Sequence, residues 1–209
     1  MCADFHRPVR MPGRAFDYLP GGDDPAVAHR IAHDTAWALL SRVRAGSSPE
    51  VVDRLVGYAD EHGLDVLAEL WSRAGARSLA GALWRLYLLR QLVVADPEGT
   101  SLAYRRGVEE LDSEDAMVAG AAAPTGPEEI ADLADTILRG AFEGDFGVAL
   151  DRASAYCRVM SAGNASLADD SDASNAERAT GLTTRALRYD GFAGELREAA
   201  YAWRHGTLG

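Results

Sequence analysis

Residues 81–94 read GALWRLYLLRQLVV, and what covers this stretch decides the fold. Wound as a helix, it spreads Leu83, Trp84, Leu86, Tyr87, Leu88, Leu89, Leu92, Val93 and Val94 over nearly every side, with Arg85, Arg90 and Gln91 as the interruptions. A helix that is apolar all round is a buried helix. Its cover must come from the rest of the chain, from a second protein or from a ligand. Ser78 stands where an N-cap belongs, and Asp96-Pro97 ends this helix and opens the next.

Outward from this stretch, period-3.6 patterns run through most of the sequence after Asp24, with no stretch of strand alternation. The expectation is an all-α fold of about nine helices in packed antiparallel hairpins, a bundle or a short hairpin array. Asp24 and Pro25 start the first helix, which runs to about Ala45. Pro49 to His62 and Leu64 to Arg73 form a hairpin around Gly63, and together with the first helix they should cover the central apolar helix. Further helices are expected near Pro97 to Leu111, Pro127 to Phe142, Asp145 to Gly163, Ser174 to Arg188 and Gly191 to His205, with an acidic loop at ADDSDASNAE. Residues 112–127, DSEDAMVAGAAAPTGP, read as a linker or long loop between an N-terminal half at 25–111 and a C-terminal half at 128–209. Residues 1–24 read as a flexible leader.

At 209 residues the chain can bury roughly 70% of its unfolded surface in one combined domain. No apolar run approaches the roughly 18 residues that a membrane span needs. The leader carries Arg7, Arg10 and Arg14 without an apolar core, which points to the cytoplasm rather than export. Cys2 and Cys157 do not make a disulfide framework. Acidic residues outnumber basic ones by 32 to 21, a formal charge of −11 that argues against direct nucleic-acid binding. All 21 basic residues are Arg. Without Lys, a P-loop, a protein kinase and a pyridoxal enzyme each lack a residue that their chemistry requires.

The candidate chemistry is sparse. His29 and His33 lie four apart on the first helix, so both rings leave the same face, as imidazole ligands of a divalent metal would. A complete site needs further ligands, for which His62 with Glu61, or Glu69, are the candidates; otherwise the two rings pack at a helix start. The chain has no HExxH, GxGxxG or GxSxG, and no His with Glu three residues before it, so zinc-protease, Rossmann, hydrolase-elbow and di-iron readings fail. Asp170, Asp172 and Ser174 imitate the start of a calcium loop, but Asn175 stands where Gly is needed and Gly181 where the bidentate Glu belongs. Arg85 and Arg90 must reach water, pair with carboxylates or form an anion pocket, because a lone charge cannot stay buried. Trp84, Arg85, Tyr87 and Arg90 together have the composition of an interface, as do Trp71 and the pair Trp203-Arg204.

The block LAELWSRAGARSLAGALWRLYLLR at 67–90, with PTGPEE at 124–129 and FEGDFGVALDRASAYCRV at 142–159, resembles a family of small all-helical proteins from high-GC genomes of actinobacterial type. The resemblance implies a helical fold, brings no activity with it and supplies no functional residues to carry over. The chain therefore reads as a protein-interaction or regulatory module that binds a protein partner or a second copy of itself. Two rivals stand beside this reading: a metal-dependent helical enzyme using His29 and His33, and a ligand-sensing bundle with an apolar pocket beside Trp84 and Arg85.

Overall fold

The computed structural model describes residues 25–46, 70–111, 115–120 and 126–209. Within them lie seven helices and no strand: α1 (Pro25–Gly46), α2 (Leu79–Ala95), α3 (Pro97–Glu110), α4 (Asp115–Ala119), α5 (Pro127–Glu143), α6 (Phe146–Asp172) and α7 (Ala176–Arg204). The expected all-α architecture is the one observed. None of these helices is long and apolar enough to cross a membrane.

Local chemistry sets the helix starts. The Ser78 hydroxyl accepts the Gly81 N–H at 3.1 Å and so caps α2. Asp96 caps α3 through the Gly99 N–H at 3.0 Å, with Pro97 at the first position. Asp145 caps α6 through Val148 and Asn175 caps α7 through Arg178, again at 3.1 and 3.0 Å. Each cap satisfies an N–H that the first helical turn leaves without a partner.

The axis of the fold is α6, about 40 Å long at 1.5 Å per residue. It packs against α2, α3, α4, α5 and α7. Among the described residues the apolar helix α2, which the sequence marks as the centre, packs chiefly against α5, α1 and α7 and only lightly against this axis. Of the 49–73 hairpin expected to cover it, residues 49–69 lie outside the described residues; Trp71 is buried and its Nε1–H donates to Thr35 Oγ1 at 3.1 Å. Composition explains the exchange of roles. The buried positions of α6 are mostly small, including Gly147, Ala149, Ala153, Ser154, Ala155, Cys157 and Gly163, and small side chains let neighbouring backbones come close.

The closest approach is at the crossing of α3 and α6. A Cβ built on Gly107 would overlap the Val159 carbonyl oxygen, and one built on Gly163 would overlap the Ala103 carbonyl oxygen. The contact is reciprocal, each glycine resting on the other helix's backbone, and both helices carry it as a small or β-branched residue four before Gly. Ser166 and Arg106 extend the seam: Arg106 Nε–H donates to Ser166 Oγ at 3.0 Å, Ser166 donates to Glu110 at 2.7 Å, and Arg106 also pairs with Asp170.

Three boundaries differ from the sequence expectation. The stretch 112–127 contains α4, whose Asp115 forms a two-pronged ion pair with Arg158 of α6 and whose Ala119 is buried; Gly120, at φ 86°, turns the chain away. Helix α6 continues nine residues beyond Gly163, because Asn164 and Ala168 are buried and Ser166 and Asp170 bind α3. The Asp190-Gly191 break signal is overridden, and α7 runs unbroken. On either side of it, Ser161 Oγ donates to the Ala186 carbonyl at 2.9 Å and Ser154 Oγ to the Ala193 carbonyl at 2.7 Å. Tertiary packing of Tyr189, Ala193 and Leu196 outweighs the roughly 1 kcal/mol that a helical Gly costs.

Candidate functional site

Two of the four candidate residues on α2 are charged and both have carboxylate partners. Arg90 is buried, with a side chain only 8% exposed, and pairs with Asp135 of α5. The Arg85 side chain, 13% exposed, pairs with Glu195 of α7 at 2.6 Å and donates from Nη1 to the Gly81 carbonyl at 2.9 Å. These pairs tie α2 to α5 and α7. Trp84 and Tyr87 are half-buried, their rings tilted against each other with centroids 5.8 Å apart.

A second aromatic group forms where α1 meets the ends of α6 and α7. The Trp37 ring lies 6.4 Å from that of Trp203, which meets Phe146 edge-on at 5.0 Å, and the Arg44 guanidinium sits 5.7 Å from the Trp203 ring centre. Arg44 also donates to the carbonyls of Ala141 and Gly144, both at 3.0 Å, at the carboxyl end of α5 where the helix dipole favours a cation. Phe146 is fully buried and Trp203 partly so, yet Trp37 remains 51% exposed and Tyr201, stacked on His205, 64% exposed. The sequence pointed to Trp203 and Arg204 here; Arg204 pairs with Asp151. Trp37 was not singled out, because its partner ring is 166 positions away in sequence.

The His pair occupies the opposite, amino-terminal part of α1. His29 is exposed, while His33 is partly buried and its Nδ1 finds no hydrogen-bond partner among the described residues. Among the described residues no three His, Cys, Asp or Glu side chains gather to hold a metal ion. His62, Glu61 and Glu69, the proposed completing ligands, lie outside the described residues.

An open groove of about 520 Å³ lies beside the carboxyl end of α2. It is lined there by Leu88 and Leu92 rather than by Trp84 or Arg85, and is completed by the start of α3, by Met160 of α6 and by residues 181–192 of α7. Behind its wall is a buried aromatic column. The Tyr104 and Tyr156 rings stack at 5.7 Å, and Tyr189 meets Tyr156 edge-on at 6.4 Å. Burial pushes the Tyr104 phenol up to about 12, with Asp115 adding to the shift. Burial likewise raises Tyr189 to about 12, and around it Arg185 lowers and Asp96 raises the value by lesser amounts. The Cys157 thiol, fully buried, is also pushed up by burial, which keeps it in the unreactive protonated form.

Comparison of the chain with protein-family models, with curated proteins and with solved structures finds no match.

Proposed function

We propose that this protein is an interaction module that docks a protein partner through the aromatic edge formed by Trp37 and Trp203. The observation that carries the reading is the exposure of Trp37 beside a fixed, partly buried Trp203. Trp, Tyr and Arg dominate binding energy at interfaces when they are held rigidly and desolvated on docking. Here the supporting ring is already immobilised by Phe146 and Arg44, so little side-chain entropy remains to be lost there. The test compares the wild type with a Trp37→Ala variant, each checked for helical content. A stoichiometric partner crosslinked in the native host, or a dimer in sedimentation, should be present with the wild type and lost with the variant. Retention in the variant, or a monomer without partner in both, overturns the reading.

The unpartnered Nδ1 of His33 supports one alternative, a divalent metal held by His29 and His33 with ligands from residues 61–69. Metal analysis of the untagged protein against His29→Ala tests it. Stoichiometric metal that disappears in the variant supports an enzyme or a structural metal site; metal below stoichiometry in the wild type removes it.

A further inference from the structure

The groove beside α2 has a floor and a rim of different chemistry. Leu88 and Leu92 of α2, Met160 of α6 and Phe192 of α7 make its apolar side, and Leu92 is 41% exposed. Arg185 and Arg188 stand three residues apart on α7, hence on one helical face, and both border the groove. Among the described residues neither takes part in an ion pair, whereas Arg85, Arg90, Arg106, Arg158 and Arg204 all do. The negative charge bordering the groove is Asp96, whose carboxylate already accepts the Gly99 N–H as the cap of α3. Two cations face one committed carboxylate in a chain whose net charge is −11. The local excess of positive charge therefore runs against the whole molecule.

From this juxtaposition we infer that the groove binds a small amphipathic monoanion, a carboxylate with an alkyl tail, the carboxylate on Arg185 and Arg188 and the tail along Leu88, Leu92 and Phe192. A guanidinium presents paired N–H donors that match a carboxylate's two oxygens. A single negative charge suits the site better than two, because Asp96 repels whatever anion sits there. The volume of about 520 Å³ falls within the range of small-molecule sites, and a largely apolar wall with a few polar groups on the rim is their usual composition. The inference does not depend on the aromatic edge at Trp37, which shares no residue with the groove.

The test is calorimetric titration of the full chain with decanoate, below its micelle concentration, beside 1-decanol and decyltrimethylammonium. Two variants locate the binding. Arg185→Ala, Arg188→Ala removes the rim charge, and Gly181→Leu fills the groove at a lining position where an added Cβ meets nothing within 4 Å. Decanoate should bind one to one and more tightly than decanol or the cation. The double Arg variant should weaken decanoate about tenfold while leaving decanol unchanged. Gly181→Leu should abolish both and remain folded. Heat that does not saturate, equal or tighter binding of the trimethylammonium, or wild-type affinity for decanoate in either variant overturns the proposal.

Discussion

The groove, lined by α2, α3, α6 and α7, shares two helices with the crossing of α3 and α6, and the two regions have opposite packing. At the crossing, Gly107 and Gly163 bring backbone against backbone. Two turns before Gly107 on α3 and one turn before Gly163 on α6, Thr100 and Met160 border the groove, which Leu92, Tyr189 and Phe192 also line. Side-chain size, not hydrophobicity, separates a sealed contact from an open one. A helix can be apolar and still leave space, as α2 does at Leu88 and Leu92, while the small-residue face of α6 leaves none at Gly163.

The largest effect should come from closing the distinction at the sealed end. Gly163→Ala places a methyl group into the Ala103 carbonyl, so the two backbones must separate; we expect a loss of about 3 kcal/mol in urea unfolding, with Gly107→Ala similar. Cys157, buried on the same helix, supplies a second readout, since thiol labelling under native conditions should accelerate in the variant. A cost below about 1 kcal/mol would mean that the crossing relaxes freely and that its tightness is not what fixes α6.

Next in size is the network that joins three helices beside the crossing. Arg158 binds Asp115 of α4 through both Nε and Nη2, and its Nη1–H donates at 2.9 Å to Ser154, which in turn donates to the Ala193 carbonyl of α7. The bond to a charged partner raises the Arg158 pKa further above its ordinary value. Arg158→Ala should cost about 2 kcal/mol, and Ser154→Ala about 1 kcal/mol because it removes both the bond to the Ala193 carbonyl and the acceptor of the Arg158 Nη1–H. Additive losses in the double variant would show that the two bonds do not act as a network.

These two regions mark the limit of what residue order discloses. The helical class, the caps at Ser78, Asp96 and Asp145, and the burial of α2 follow from local pattern, and local pattern is what a sequence displays. The central place of α6 was not legible, since more than half of its core positions are Ala, Ser, Gly or Cys, which carry weak hydrophobic signal. Likewise Asp190-Gly191 has the composition of a break, and the packing of Tyr189, Ala193 and Leu196 together with the serine bonds from α6 keeps α7 continuous there. The partners of Arg85 and Arg90 were open for the same reason: Glu195 and Asp135 are distant in sequence, and carboxylates are abundant. The groove and the Trp37–Trp203 contact join elements far apart in the chain, and no periodicity within one helix encodes either.

At the open end the sign of a glycine substitution should reverse. Gly181 lines the groove within α7, and an added Cβ there meets nothing within 4 Å. Gly181→Ala should therefore stabilise by about 0.5–1 kcal/mol through helix propensity and reduced freedom of the unfolded chain. The same chemical change thus separates the two regions by sign. Destabilisation at Gly181 would show that the groove is narrower in solution than its volume indicates.

The smallest effect concerns what holds α7 to α2 outside the groove. Arg85–Glu195 and Arg77–Glu198 both join the two segments, yet the Arg85 side chain is 13% exposed and that of Arg77 is 75% exposed. Solvent screening leaves little for the outer pair, and the backbone bonds from Leu79 N–H to the Gly209 carbonyl and from Gly209 N–H to the Arg77 carbonyl persist without its side chain. Arg77→Ala should change stability by less than about 0.5 kcal/mol, with no dependence on salt beyond that of the wild type. A larger, salt-sensitive loss would mean that charge rather than packing sets the spacing of α2 and α7. The groove would then widen with ionic strength, and decanoate affinity would fall with salt more steeply than contact with two arginines requires.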